Sequence, residues 1–377
     1  MTEHESETNL EAFAPQTPPA LEPAETRFLK AILFDANGLR AGWSVLLFFV
    51  LFFIFAGITA LIAGPIFPGS MLTKAGEMVP TISVIQQSVQ FVSLLGAALI
   101  CALIQKRRVL DYNLTGPTRF SHFFVGIAGG FVALTALAGV LHAGGWLSFG
   151  GVALSGTAIW SYGALWGISF LLTGLCEEGM FRCYLLYILA RGVNYWWALG
   201  TVSAFSLFAY LNHSGSGAGG VWLMAALGIV PCLLLKLKRA ESAGFWQAAW
   251  LTSTCFGYVH TFNQGETWIG IFSTAAIGFI FCVSIRLTGS AWWAIGFHAA
   301  WDWAQTFFYG TADSGFQPHG HLLTTTPTGA ALWSGGSDGP EGSLLVIPIV
   351  LLVLVVMIVV YYRRQPLPTT QPDRLAA

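Results

Sequence analysis

Few ionisable side chains interrupt the apolar runs of this sequence, and their spacing suits chemistry. Glu177, Glu178 and Arg182 stand in Cys-Glu-Glu-Gly-Met-Phe-Arg. His260 ends Phe256-Gly-Tyr-Val-His, and His298 and Asp302 bound His-Ala-Ala-Trp-Asp. Glu178 and Arg182 are four apart, so on a helix they share a face and can form an ion pair. That pairing leaves Glu177, about 100° around the helix, free for other work. His298 and Asp302 share a face for the same reason. A carboxylate and an imidazole can share the proton of an attacking water. Further donors can stabilise the oxyanion that develops on a carbonyl. These residue types therefore suit hydrolysis. They equally suit a proton or ion pathway in a transporter. Glu177, His260 and His298 could also make a two-His, one-carboxylate zinc site with an open position.

The elements that must position these groups follow from composition. Of 377 residues, 55% are hydrophobic and 9% are Asp, Glu, Lys or Arg, against about 25% charged residues in a soluble domain. So few charges cannot cover soluble domains of this total length, and disorder over most of the chain would need lower hydrophobicity. The net charge of −1, with no basic stripe, excludes nucleic acid as a partner. The reading is an all-α, polytopic transmembrane helical bundle in a cell membrane, with the lipid bilayer as its surroundings. Crossing the hydrocarbon takes about 20 apolar residues. Ten candidate spans meet that need, roughly 42–63, 80–104, 121–143, 160–190, 194–212, 219–235, 245–262, 267–285, 289–309 and 344–362.

Ten spans place both termini on one side, and the basic residues test the arrangement. With both termini cytosolic, every Lys and Arg except Lys74 falls on the cytosolic half, as the positive-inside rule requires. The expected organisation is a disordered cytosolic tail at 1–30 and N-terminal transmembrane helices at 31–150. A membrane domain at 151–310, which carries these ionisable groups, follows. An external loop at 311–343, a last transmembrane helix at 344–362 and a cytosolic tail at 363–377 complete the chain. The tail carries six glutamates and four prolines in its first 26 residues, with no Lys or Arg. His319 and His321 read as exposed loop histidines, and His142 and His213 as structural hydrogen-bonding groups. Gly126 and Gly130 make a G-x-x-x-G that suits close helix packing. The six cysteines lie in or beside apolar runs without a C-x-x-C pair and read as packed residues.

Depth offers a second check on the polar groups. Glu177 is about 21 Å of helix from Arg191, and His260 about 23 Å from Phe245. His298 and Asp302 are about 17 and 23 Å past Leu287. All three starting points lie near cytosolic ends, so four polar groups from three helices can meet at one level. The expected approach to them is from the cytosolic side.

At these residues the chain resembles the CAAX prenyl protease and bacteriocin-processing family (CPBP, also called Abi). That family's motifs are Glu-Glu-x-x-x-Arg, Phe-x-x-x-His, and His-x-x-x-Asn or Asp. They occur here in order as Glu177-Glu178 to Arg182, Phe256 to His260, and His298 to Asp302. Phe-Arg-Cys-Tyr at 181–184, Asn263, and the run from Arg286 to Trp292 support the likeness, as does Gly335 to Gly342 more faintly. It covers roughly 160–310. The stretch 192–246 departs from it as an insertion long enough for two spans. Asp302 also departs, standing where Asn is commoner; only a protonated Asp could donate as Asn does.

The resemblance implies an intramembrane endopeptidase acting on a peptide or membrane-protein substrate. Glu177 and His260 would activate the water, His298 and Asp302 would stabilise the oxyanion, and Glu178 would hold Arg182. It further implies metal-free, glutamate-dependent chemistry, although the family is often labelled metalloendopeptidase; zinc is the alternative. A transporter, or an immunity or scaffold protein that keeps the motifs, is the alternative outside hydrolysis. The absence of His-Glu-x-x-His and of Gly-x-Gly-Asp speaks against other intramembrane protease classes. Gly167-Ile-Ser169 reads as helix packing.

Overall fold

Apolar side chains leave the backbone no partner in lipid but itself, which drives each long apolar run into a helix. A computed structural model describes residues 24–35, 38–212, 218–238, 242–263 and 266–362. Two units are present. The first comprises α1 (Ala24–Leu33) and a hairpin of β1 (Phe34–Asp35) and β2 (Gly38–Leu39). Of the disordered tail expected at 1–30, residues 24–30 are helical instead: α1 has an apolar stripe at helical spacing in Phe28, Leu29 and Ile32. Residues 1–23 lie outside the described residues, as do His213 and the expected tail 363–377.

The second unit, from Ala41 onward, is an all-α bundle. Its long helices are α2 (Ala41–Ile66), α3 (Pro80–Ile104), α4 (Arg119–Ala143) and α5 (Thr157–Gly192). They continue with α6 (Tyr195–Asn212), α7 (Ala218–Lys238), α8 (Ala243–Val259), α9 (Trp268–Thr288) and α10 (Trp292–Trp303). A short α11 (Ala331–Ser334) precedes α12 (Val346–Tyr362). Each of the ten expected segments is thus helical, and six helices are long and apolar enough to cross a membrane by length and composition. The chain is accordingly a multi-pass membrane protein. Apolar side chains such as Leu61, Leu103 and Leu211 are exposed on its outer faces, as lipid-facing residues would be.

The connections cluster at two ends. At one end, Ala291 N–H donates to Asn113 O at 2.8 Å, Trp292 Nε1–H to Leu114 O at 3.0 Å, and Arg107 to the Tyr187 hydroxyl at 2.8 Å. This basic end carries Lys106, Arg107, Arg108, Arg119, Arg191, Lys238 and Arg286. The other end bears a folded cap. In it β3 (Glu77–Met78) runs parallel to β5 (Gln317–Pro318), and β4 (Leu147–Val152) runs antiparallel to β6 (Leu323–Pro327). The stretch expected as an external loop at 311–343 therefore has strands and a helix of its own. His319 Nδ1–H donates to Glu77 at 2.8 Å, and Trp146 stacks on Trp333. Like His319, His321 is half-buried, with its Nδ1–H given to Leu323 O at 2.8 Å, so these histidines fasten the cap.

Small residues set the closest helix crossing. A Cβ on Gly126 would collide with the Trp293 carbonyl, one on Gly130 with the Phe297 carbonyl, and one on Gly296 with the Phe123 carbonyl. The G-x-x-x-G of α4 is therefore the seat of α10, the helix that carries His298 and Asp302. Gly130→Val is expected to push α10 away and to lose the monodisperse protein peak on size exclusion in detergent. Gly139→Val, on the same helix with open space at its Cβ, should keep it. Ser169 also serves packing, with its hydroxyl 2.7 Å from that of Ser83 across α3 and α5. The insertion near 192–246 forms α6 and α7, and Tyr258 of α8 joins both: its hydroxyl lies 2.6 Å from Ser206 Oγ and donates to Val221 O. All six cysteines are free thiols, five of them buried.

Candidate active site

Three helices bring the ionisable residues together. Helix α5 contains a π-turn at Gly179–Leu185, directly after the paired glutamates. Such turns carry one extra residue per turn and often occur at functional sites. The i,i+4 ion pair survives it: Arg182 Nε lies 3.2 Å from Glu178 Oε2, with both side chains fully buried. The guanidinium stacks 4.0 Å above the Phe256 ring, and Nε–H points to Gly278 O at 3.4 Å. Phe256 touches His260, in the short 3-10 turn that follows α8, ring centroids 4.8 Å apart. The Phe of the Phe-x-x-x-His motif thereby spaces the arginine from the histidine.

His298 is the hub. Its Nδ1–H donates to Glu178 Oε1 at 2.9 Å, while Nε2 lies 3.4 Å from Asp302 Oδ2 and 3.8 Å from Glu177 Oε2. Sequence spacing assigned Glu178 to Arg182 alone; the fold has it holding Arg182 with one oxygen and His298 with the other. The start of α10, which carries His298, is fixed by the turn before it. Gly289 ends α9 in the left-handed region, at φ 79°, where a Cβ would be strained, and its N–H caps Ile285 O at 2.8 Å.

His260 donates Nδ1–H to the Phe256 carbonyl at 2.8 Å. A carbonyl only accepts, so a neutral ring keeps its lone pair on Nε2. Among the described residues Glu177 Oε2 has no hydrogen-bond partner, which leaves it able to accept a proton from water. A cavity of about 300 Å³ is lined by Glu177, His260, Asn263, His298 and Asp302. A second, apolar recess of about 470 Å³ meets the first at Glu177, Phe256, Val259 and His260. Its other walls include Phe49, Phe52, Leu94, Phe181 and Phe205.

Among the described residues no three His, Cys, Asp or Glu side chains are grouped as metal ligands.

Four acidic residues of the cap were given no role by the sequence reading. Glu266, Asp313, Asp338 and Glu341 come from three separate segments, and Asp313 and Glu341 reach the cavity wall. Asp338 Oδ2 accepts from Thr267 Oγ1 at 3.0 Å, Asp313 from Thr306 at 2.9 Å, and Glu341 from the Ser314 N–H at 2.7 Å. Burial, and then the neighbouring Asp338, pushes the Glu266 carboxyl up to about 9. Burial likewise lifts Asp313 and Asp338 to about 6 and raises Glu341 well above the usual range. Between their ordinary values and these, the folded cap holds more protons than the unfolded chain. Its stability therefore falls as pH rises from about 4, through 6 for the aspartates and up to about 9 for Glu266. Amide exchange around Thr267 and Asp338, corrected for intrinsic rates, should be faster at pH 9 than at pH 5.

Residues 232–304 match the family model "Rce1-like: Type II CAAX prenyl endopeptidase Rce1-like". No curated protein and no solved structure matches the chain significantly. The matched stretch contains the Phe256–His260 and His298–Asp302 motifs and stops short of the Glu177–Arg182 motif. That third motif is tied to it by contact, through Glu178 to His298 and Arg182 to Phe256. Over residues 232–304, then, the chain is similar to the Rce1-like type II CAAX prenyl endopeptidase family, a family of proteases.

Proposed function

We propose that this protein is a multi-pass endopeptidase of the cell membrane, with both termini cytosolic. It hydrolyses a peptide bond with water activated by Glu177 and His260 and with no metal. The observation that carries the reading is the convergence of Glu177, His260, His298 and Asp302 on one cavity beside an apolar recess. The family match supplies the reaction class.

In this mechanism Glu177 takes a proton from water as the water oxygen adds to the peptide carbonyl carbon. His260 Nε2 accepts a hydrogen bond from the water's second O–H, which stays on the oxygen, and so orients the attack. The carbonyl electron pair moves to oxygen, and the N–H of a protonated His298 Nε2, or the O–H of a protonated Asp302, hydrogen-bonds that oxyanion while keeping its proton. When the carbonyl reforms, the C–N bond breaks and the proton on Glu177 passes to the amine. The recess accepts an apolar group flanking the scissile bond.

The test is cleavage of prenylated and plain C-terminal peptides by purified protein in detergent. Wild type should cleave and Glu177→Ala should not, and a chelator should leave the rate unchanged. Inhibition by the chelator, reversed by zinc, would replace this mechanism with the zinc one. Ion- or substrate-coupled flux lost in Glu177→Ala, without any cleavage, would favour the transporter.

A further inference from the structure

We propose that the active-site cavity opens to the extracytosolic face, so that its substrate is an extended polypeptide segment presented there beside an apolar stretch. This rests on the endopeptidase reading and adds the side from which the site is served. The first observation is the identity of the walls. Met71, Met78, Asp313, Ser314, Phe316 and Glu341, all on cap connections, line the same cavity as Glu177 and His298. No lining residue comes from the connections of the basic end.

The second observation is closure in the other direction. Below the cavity the buried Glu178–Arg182 pair fills the space between helices. Next comes a layer in which Tyr112 and Tyr184 are each 1% exposed, rings 5.1 Å apart. The loop at 113–114 seals this layer by donating Asn113 Nδ2–H to Arg182 O at 2.8 Å and accepting from the start of α10. The apolar recess is walled mainly by hydrophobic side chains, with Glu177 and His260 its ionisable lining apart from the Cys176 and Cys255 thiols.

Charge then sets the direction. Lys74 is the one Lys or Arg of the cap connections, and the other end is basic, which places that other end in the cytosol. A soluble segment therefore reaches Glu177 from outside, with an apolar neighbour in the recess. The expected cytosolic approach is replaced because depth along a helix fixes a level in the membrane and not the end from which that level is open.

Thiol labelling tests this without any need for cleavage. Lys74→Cys (cap), Thr173→Cys (cavity wall, one turn before Glu177) and Lys238→Cys (basic end) are made in the full chain. Each is exposed to a membrane-impermeant maleimide in sealed right-side-out vesicles and after permeabilisation, with the unsubstituted chain as background. Expected is labelling of Lys74→Cys and Thr173→Cys in sealed vesicles, and of Lys238→Cys after permeabilisation alone. Thr173→Cys labelled only after permeabilisation, or not at all, would overturn the proposal. So would labelling of Lys238→Cys, with Lys74→Cys protected, in sealed vesicles. Failure of every peptide to be cleaved would leave these patterns readable and would count against the peptidase reading instead.

Discussion

Glu177→Gln should lower kcat for peptide cleavage about 10²–10⁴-fold, the span that a positioned general base contributes, while the protein unfolds at the wild-type temperature. The amide has the shape of the carboxylate but cannot take up the water proton. Glu177 is suited to so clean a separation of activity from stability. Its side chain is 33% exposed, its nearest ionic neighbour is His298 at 3.8 Å, and Oε2 has no hydrogen-bond partner among the described residues. A side chain so placed contributes little to the fold, and its substitution should stay within about 0.5 kcal/mol. KM should change little, because the carboxylate meets the water and not the flanking residues of the substrate. His260→Ala should also cut kcat with KM preserved. Retention of wild-type kcat in Glu177→Gln would sink this assignment and move the base to Asp302, Asp313 or Glu341, the other carboxylates on the cavity wall. A fall in unfolding temperature would place Glu177 in the structural pair rather than in the chemistry.

Much of this site was legible because its determinants are local. Four-residue spacing yields the Glu178–Arg182 pair at 3.2 Å and brings His298 and Asp302 to 3.4 Å, whatever the rest of the fold does. Helix placement was legible for the same reason: an apolar run of about 20 residues has little choice in lipid. What stayed hidden depends on contacts between distant segments. The Glu178–His298 bond joins residues 120 positions apart, and nothing in either motif states which glutamate oxygen faces the histidine. The cap was hidden because Gly- and Thr-rich segments read as loop, while their order comes from pairing β3 with β5 and β4 with β6 across the bundle. The acidic group was hidden because Glu266, Asp313, Asp338 and Glu341 each look like a surface residue until the cap folds over them. Glycines offered an intermediate case. Gly126 and Gly130 announced a close crossing, but the partner helix became known only with the fold.

Arg182→Met should cost the protein its fold rather than its chemistry alone. Removing one member of a buried ion pair leaves an uncompensated charge, at about 3–5 kcal/mol, out of a typical stability of about 5–15 kcal/mol. Arg182 and Glu178 are both fully buried, and the guanidinium also lies over Phe256 and points Nε–H at Gly278 O. Lysine would not substitute well, because an ammonium lacks the flat face that stacks on Phe256. The expected result is a large drop in unfolding temperature in detergent, or loss of recoverable protein. The double variant Glu178→Gln with Arg182→Met separates charge from shape. It leaves no unpaired charge, so much of the lost stability should return, as buried pairs replaced on both sides are often tolerated. The introduced amide oxygen could still accept the His298 Nδ1–H, but a neutral acceptor holds that proton less firmly than a carboxylate. Stability should therefore recover further than kcat does. Equal recovery of both would make the pair a support for the helices and nothing more. An Arg182→Met protein as stable as wild type would show that His298, already bonded to Glu178 at 2.9 Å, is sufficient compensation for that carboxylate.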